Sequence, residues 1–139
     1  MSASTPCKRQ KILLIDDDEL IAGSLRRYLS TQGCDVDVAL EPSVAEGLMG
    51  ERCYDVVLVD PYLTGGVLHD EDALLTTIRA LQPGASLIIL TGYASPALAL
   101  IAGRERATAL LTKPQSVLFL SQFVAGASQS AAAAGRTLS

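Results

Sequence analysis

The feature that most constrains this chain is an apolar run in residues 54–66 that ends abruptly at a carboxylate. Val56 to Val59 contains only β-branched and aliphatic residues, which is typical of a strand buried on both faces of a parallel sheet. Asp60 follows directly, and Pro61 stops the strand. Open α/β sheets place their ligands at the carboxyl ends of strands, so Asp60 is a candidate functional residue. An aspartate at a strand end can also cap a turn, and only the rest of the chain can decide between the two interpretations.

The remaining pattern predicts a sheet built from alternating strands and helices. The predicted strands cover residues 11–15, 35–40, 56–59, 86–90 and 109–112. The predicted helices cover residues 20–32, 42–49, 71–81, 96–106 and 116–127. Residues 35–40 alternate between polar and apolar, which favours an edge strand. Short connections between alternating strands and helices predict an α/β fold, a doubly wound five-stranded parallel sheet with helices on both faces.

Length and composition predict one globular domain with a loose tail at each end. The chain has 139 residues, of which 49% are hydrophobic and 19% charged. We expect a polar N-terminal tail over residues 1–7, a folded domain over residues 8–127, and an Ala/Ser/Gly-rich C-terminal tail over residues 128–139.

Charge and hydropathy exclude several classes of function. The net charge is −4 with only 11 lysines and arginines, which argues against a nucleic-acid partner. No apolar run approaches the roughly 20 residues that a membrane span needs. The three cysteines form no C-x-x-C pair, and the N-terminus has no apolar segment of the kind found in signal peptides. We therefore expect a protein of the reducing cytoplasm, with no membrane partner.

Polar side chains follow four of the five predicted strands at the point where each strand ends. Asp16 and Asp17 follow the first strand, Asp60 the third, Thr91 the fourth and Lys113 the fifth. In a parallel sheet these positions converge on one crevice. Three carboxylates repel one another unless a cation shares them, and hard oxygen ligands without His or Cys suit Mg²⁺. The set suits transfer of a phosphoryl group to a carboxylate, with metal and lysine stabilising the charge.

Four short motifs in order resemble the response-regulator receiver domain of two-component signalling, in particular single-domain proteins like the chemotaxis regulator. They are ILLIDDD at residues 12–18, VVLVD at 56–60, LTG at 90–92 and LTKP at 111–114. The resemblance covers residues 8–127 and implies a flavodoxin-like (βα)5 fold. It also implies a phosphoprotein that acts in phosphorelay signal transduction and not as a dedicated enzyme.

The resemblance implies a role for each residue of the site. Asp60 would accept the phosphoryl group from a sensor histidine kinase or a phosphotransfer protein. Mg²⁺ would be held by Asp17 directly, by Asp16 largely through water, by Asp60, and by the backbone carbonyl of Tyr62.

Two further positions complete the site that the resemblance implies. Thr91 would supply the switch hydroxyl, and Lys113 would contact a phosphoryl oxygen. The Lys113–Pro114 peptide bond is typically cis in this family.

The sequence also departs from the family pattern. Pro61 directly after the acceptor is unusual, and the aromatic switch position of the family is occupied by Leu110. These departures favour one alternative, an interaction module that works without phosphorylation. A second alternative is a metal-dependent phosphatase that acts on small substrates through an aspartyl-phosphate. The phosphatase would need a general acid two residues after the nucleophile, where Tyr62 is a poor candidate.

The only two phenylalanines suggest an output surface on the last helix. Phe119 and Phe123 form a stripe beside the predicted core side of that helix. By resemblance this flank adjoins the fourth helix and fifth strand, including Leu110. We predict a protein contact there, with a homodimer as the first choice, while inward packing of the phenylalanines is the alternative.

Overall fold

The computed structural model describes residues 10–62 and 68–126, with the backbone alone for residues 68–72. Five strands are present in these residues: β1 (Lys11–Ile15), β2 (Asp35–Ala39), β3 (Val56–Val59), β4 (Ser86–Thr91) and β5 (Ala109–Thr112). Five helices alternate with them: α1 (Glu19–Thr31), α2 (Pro42–Glu51), α3 (Leu68–Leu81), α4 (Pro96–Arg104) and α5, described over residues 117–126.

The five strands form one parallel sheet in the order β2-β1-β3-β4-β5. The predicted flavodoxin-like, doubly wound fold is therefore confirmed, as is the edge position of β2. Every residue of β3 and β4 is buried, which explains why these segments are apolar without alternation.

The helices cover the two faces of the sheet and form two separate cores. The α1–α5 core joins α1 and α5 to one face through Leu25, Leu29, Leu120 and Val124. The α2–α4 core joins α2, α3 and α4 to the opposite face through residues that include Met49, Leu75, Ile78, Leu98 and Ala102. Successive residues of each central strand alternate between the two cores. The strands that lead to the carboxyl edge of the sheet are thus packed on both faces.

Several helix boundaries differ from the prediction by one to three residues, and α2, for example, continues two residues further than predicted, to Glu51. Helix α3 begins at Leu68, three residues earlier than expected, so His69 lies in its first turn. Helix α4 ends at Arg104 because the chain turns at the next two residues, where Arg106 adopts a φ of 55°. A non-glycine residue in this left-handed region terminates a helix as a glycine would. Gly33 does so after α1, with a φ of 89°.

The apolar residues of α1 do not all face the sheet. Leu20 is 79% exposed, whereas Ala22, Leu25 and Leu29 are buried. Because Asp18 is the N-cap of α1, Leu20 lies in the first turn, on the side away from the sheet.

The predicted surface stripe on α5 is correct for one phenylalanine and only partly correct for the other. Phe119 is 40% exposed, but Phe123 packs partly against the α1–α5 core. Their ring centroids lie 5.8 Å apart. Leu110 packs against the α2–α4 core, on the opposite face of the sheet. Phe119 is therefore the accessible member of the predicted set.

Both predicted tails fall outside the described residues. Within the part of the chain that is described, no helix combines the length and the apolar character that a membrane span requires.

Candidate functional site

Backbone hydrogen bonds align the ends of the strands and bring the predicted polar residues onto one edge. The N–H of Asp16 donates to the last residue of β2 at 3.1 Å, and that of Asp60 donates to the last residue of β1 at 2.8 Å. The N–H of Lys113 donates to the last residue of β4 at 2.8 Å. Each of these three residues therefore directly follows the last residue of its own strand, and their side chains lie at the same edge of the sheet.

Lys113 bridges two of the carboxylates. Its Nζ lies 2.8 Å from Oδ2 of Asp60 and 2.9 Å from Oδ2 of Asp16. The exposed fractions of these side chains are only 8% for Asp60, 9% for Asp16 and 19% for Lys113, so water screens the contacts weakly. The Lys113–Pro114 peptide bond is cis, as the resemblance implied. The sequence thus predicted correctly that a carboxyl at the end of β3 meets the lysine at the end of β5.

The second oxygen of each carboxylate accepts a backbone N–H. Asp16 Oδ1 accepts from Asp18 at 2.9 Å, and Asp60 Oδ1 accepts from Tyr62 at 3.0 Å. The side-chain pattern did not predict these donors, because backbone groups leave no residue-type signature. The tendency of aspartate to bond the N–H two residues onward is the signal that could have found them.

Asp17 and Thr91 occupy different positions in the site. Asp17 is half-buried, and its carboxylate has no hydrogen-bond or ionic partner among the described residues. Thr91 is fully buried, and its hydroxyl accepts the N–H of Tyr93 at 3.2 Å. Within the described chain, that hydroxyl bonds the backbone after β4 and neither of the two bridged carboxylates.

Burial and ion pairing act in opposite directions on the charges of this site. Burial raises the pKa of Asp16, and its contacts with the Asp18 N–H and with Lys113 only partly offset this. Burial by itself would lower the pKa of Lys113, but its bonds to Asp60 and Asp16 outweigh that effect and raise it. Lys113 is therefore held in its cationic form, and the two carboxylates share this one cation.

The donor set is compatible with Mg²⁺ without forming a closed cage. Among the described residues no three Asp, Glu, His or Cys side chains are grouped tightly enough to enclose a metal. Mg²⁺ does not require such a cage, since it keeps several waters and takes one or two carboxylates. Each bridged carboxylate retains lone-pair sites beyond those used by Lys113 and the backbone, and Asp17 is accessible. The residues present fit the ion.

A parallel (βα)5 sheet with an acid cluster and a lysine at its carboxyl edge is the arrangement found in receiver domains of signalling proteins. The family model "Response regulator receiver domain" matches residues 12–124, and the chain belongs to this family. The four motifs that suggested the resemblance all lie within the matched residues.

Two curated relatives are photosynthetic apparatus regulatory proteins RegA. The protein from Rhodovulum sulfidophilum is 30% identical over 74% of this chain, and the one from Rhodobacter capsulatus is 28% identical over 76%. In each case the match covers 55% of the relative, so the chain spans a little over half the length of these relatives.

Solved structures share the fold. A CheY-like receiver domain from Methanospirillum hungatei superposes with a TM-score of 0.81 at 24% identity, covering 89% of this chain and 97% of that one. A Burkholderia pseudomallei response regulator, solved with a phosphorylated aspartic acid, a calcium ion and citrate, is 33% identical with a TM-score of 0.74. That match covers 88% of this chain and 71% of the other.

Proposed function

We propose that this chain accepts a phosphoryl group on Asp60 from a phosphohistidine kinase or a phosphotransfer protein, in a Mg²⁺-dependent reaction. The observation that carries the proposal is the Asp60 carboxylate at the end of β3, bonded to Lys113 at 2.8 Å in a site that also contains Asp16 and Asp17. A similar response regulator has been solved with a phosphorylated aspartic acid, which supports this assignment.

In the proposed reaction, a carboxylate oxygen of Asp60 forms a bond to phosphorus while the P–N bond of the donor phosphohistidine breaks. The electron pair of that bond stays on the imidazole, which leaves with its nitrogen able to take a proton. Lys113 follows the negative charge as it moves from the carboxylate to the phosphoryl oxygens. Thr91 would turn its hydroxyl from the Tyr93 backbone to a phosphoryl oxygen.

Mg²⁺ would be held by Asp17, by Asp16 through water, by Asp60 and by the backbone carbonyl of Tyr62. When bound, the ion neutralises charge on the transferred group. The accessible Asp17 carboxylate supports its assignment as the direct ligand, because Asp16 and Asp60 are already engaged by Lys113.

The signal would leave the domain through the face formed by α4, β5 and α5. Phe119 is 40% exposed there and Leu118 is 53% exposed, which supports a protein contact. One similar solved structure is a beryllofluoride-activated NtrC4 receiver domain dimer, and we propose a homodimer for this chain as well.

Cys34 and Cys53 are free thiols, which supports a location in the reducing cytoplasm.

Incubation with acetyl phosphate and Mg²⁺ tests the proposal. Intact-mass measurement should show the addition of one phosphoryl group, and Asp60→Asn should abolish it. Chelation of the metal, or Asp17→Ala, should suppress the labelling. Labelling at full rate in chelator, or labelling that survives Asp60→Asn, would contradict the proposal.

One observation favours a second candidate, an interaction module that works without phosphorylation. The family's aromatic switch position holds Leu110, and β5 contains no aromatic residue. Under this alternative the chain would bind its partner equally well before and after Asp60 is labelled. A phosphate-dependent change in affinity distinguishes the two functions.

A further inference from the structure

Tyr62 touches the proposed phosphoryl acceptor with its backbone and a hydrophobic core with its side chain. Its N–H donates to Asp60 Oδ1 at 3.0 Å. Its side chain is half-buried and packs against the α2–α4 core. Two residues of chain therefore connect the acceptor carboxylate to the packing of three helices.

No other aromatic residue of this protein combines a backbone bond to Asp60 with side-chain packing in the α2–α4 core. The sequence contains four tyrosines, two phenylalanines and no tryptophan, and all six aromatic residues lie in the described part of the chain. Tyr54 also packs in the α2–α4 core, but its hydroxyl bonds Asp37 on the edge strand β2. Tyr93 is 65% exposed. Tyr62 is the aromatic residue placed to respond to Asp60.

Phosphorylation must change the hydrogen bond that Tyr62 makes. The carboxylate of Asp60 is an anionic acceptor, and charge-assisted bonds of this kind are roughly twice as strong as neutral ones. In the acyl phosphate, one oxygen becomes a neutral carbonyl and the other bridges to phosphorus, so the negative charge lies on the phosphoryl group. Whichever oxygen reacts, the Tyr62 N–H loses its anionic partner.

We propose that Tyr62 relays the phosphorylation state of Asp60 to α4 by shifting its ring against the α2–α4 core. This relay rests on the proposed function, since it needs a phosphoryl group on Asp60. Tyr62 thus takes the role that the family's aromatic switch residue in β5 would have, because Leu110 occupies that position here. Leu110 in β5 packs against the same core and completes the path to the sheet edge.

Helix α4 is tied to α3 at its C-terminal end, where Arg79 donates to the carbonyls of Glu105 and Arg106, so its first turns are the part that is free to respond. It buries only Leu98 and Ala102, and it is rich in alanine with Gly103 near its end. Helix α2 also buries few residues, but the side-chain amide of Gln82 donates to the carbonyls of Met49 and Arg52 and fixes its end. Elements with few buried contacts open most easily, so the response should concentrate in α4.

Hydrogen–deuterium exchange of the α4 amides, measured with and without acetyl phosphate and Mg²⁺, tests the relay. Mass spectrometry gives the phosphate occupancy of Asp60, and all responses are compared at equal occupancy. We expect phosphorylation to change α4 exchange in the native protein, and Tyr62→Ala to reduce this response about fivefold. Tyr62→Phe, which keeps the ring, should retain it.

Tyr28→Ala is the matched control, because Tyr28 is a half-buried tyrosine on α1, across the sheet from α4. It should keep the α4 response. Should Tyr62→Ala fail to fold, Tyr62→Leu preserves apolar bulk without the ring and should reduce the response at least about twofold. A full response in the Tyr62 variants, or an equal loss in Tyr28→Ala, would overturn the relay. A labelled native protein with unchanged α4 exchange would overturn the relay alone, whereas absence of labelling on Asp60 would overturn the proposed function with it.

Discussion

Asp16 shares Lys113 with Asp60, and it lies in a buried position that disfavours its negative charge. Burial raises its pKa above the ordinary value of 3.8. The folded protein therefore binds this proton more tightly than the unfolded chain does. It follows that the contribution of Asp16 to the free energy of unfolding falls as the pH rises from 3.8 through its folded pKa.

The first prediction is that Asp16→Asn increases the free energy of unfolding at neutral pH in the presence of chelator. The substitution keeps the shape of the side chain and removes the buried charge, so the fall in stability that begins near pH 3.8 should also become shallower. Urea denaturation at a series of pH values measures both effects. A variant that is less stable than the native protein at neutral pH would show that the ion pair with Lys113 outweighs the cost of burial.

The second prediction concerns Lys113, the one cation within reach of both carboxylates in the described residues. Lys113→Met leaves two buried carboxylates close to each other, so we expect the free energy of unfolding in chelator to fall by about 1–3 kcal/mol. Mg²⁺ should recover more stability in this variant than in the native protein, because it replaces the lost charge. Lys11→Met, at an exposed lysine, should have little effect. Equal losses in the two variants would contradict the prediction.

At the scale of elements, Arg79 ties the end of α3 to the turn between α4 and β5. Its guanidinium donates to five carbonyl oxygens, which belong to Gln82, Pro83, Ala85, Glu105 and Arg106. Burial lowers its pKa. A planar fork with several donors suits this arrangement, and an ammonium group cannot reproduce it.

The third prediction is that Arg79→Lys lowers the free energy of unfolding by about 1–2 kcal/mol, since three partly buried carbonyls lose their donor. Arg26→Lys provides the control, because Arg26 is exposed on α1 and the change also replaces a guanidinium with an ammonium. Urea denaturation of both variants makes the comparison. If Arg26→Lys costs as much as Arg79→Lys, the carbonyl contacts contribute nothing measurable.

Strands were predictable from the sequence to within a residue, because an apolar run bounded by polar residues has few other interpretations. Residues 11–15, 56–59 and 109–112 are strands with the predicted bounds. The meeting of Asp16, Asp60 and Lys113 followed from parallel topology alone.

Helix ends and side-chain environments were less predictable, because they depend on contacts distant in sequence. The turn that ends α4 is set by Arg106 in the left-handed region, and the carbonyl of that residue is bound by Arg79 from α3. Leu20 and Phe123 look alike in an apolar pattern, yet one is exposed and the other packs against a core. The hydroxyl of Thr91 bonds a backbone group that no residue pattern marks.

For the whole molecule, two cores that use opposite faces of the sheet leave only its edges and outer helix surfaces for partners. At the β5 edge, Phe119 and Leu118 remain exposed at the start of α5. The hydroxyl of Ser116 accepts the N–H of Phe119 at 3.0 Å, so Ser116 acts as N-cap and Phe119 is the third residue of the helix.

The fourth prediction is that Phe119→Glu weakens self-association of the phosphorylated protein by about tenfold or more, as expected for an aromatic contact residue. Glutamate three residues after an N-cap serine completes a capping box, so α5 itself should tolerate the change. Sedimentation velocity at several concentrations, with acetyl phosphate and Mg²⁺, measures the association. Val44→Glu is the control, because Val44 is exposed to a similar extent, 46%, on α2. If the native protein stays monomeric when labelled, or if both variants associate as the native protein does, α5 does not form a homodimer interface.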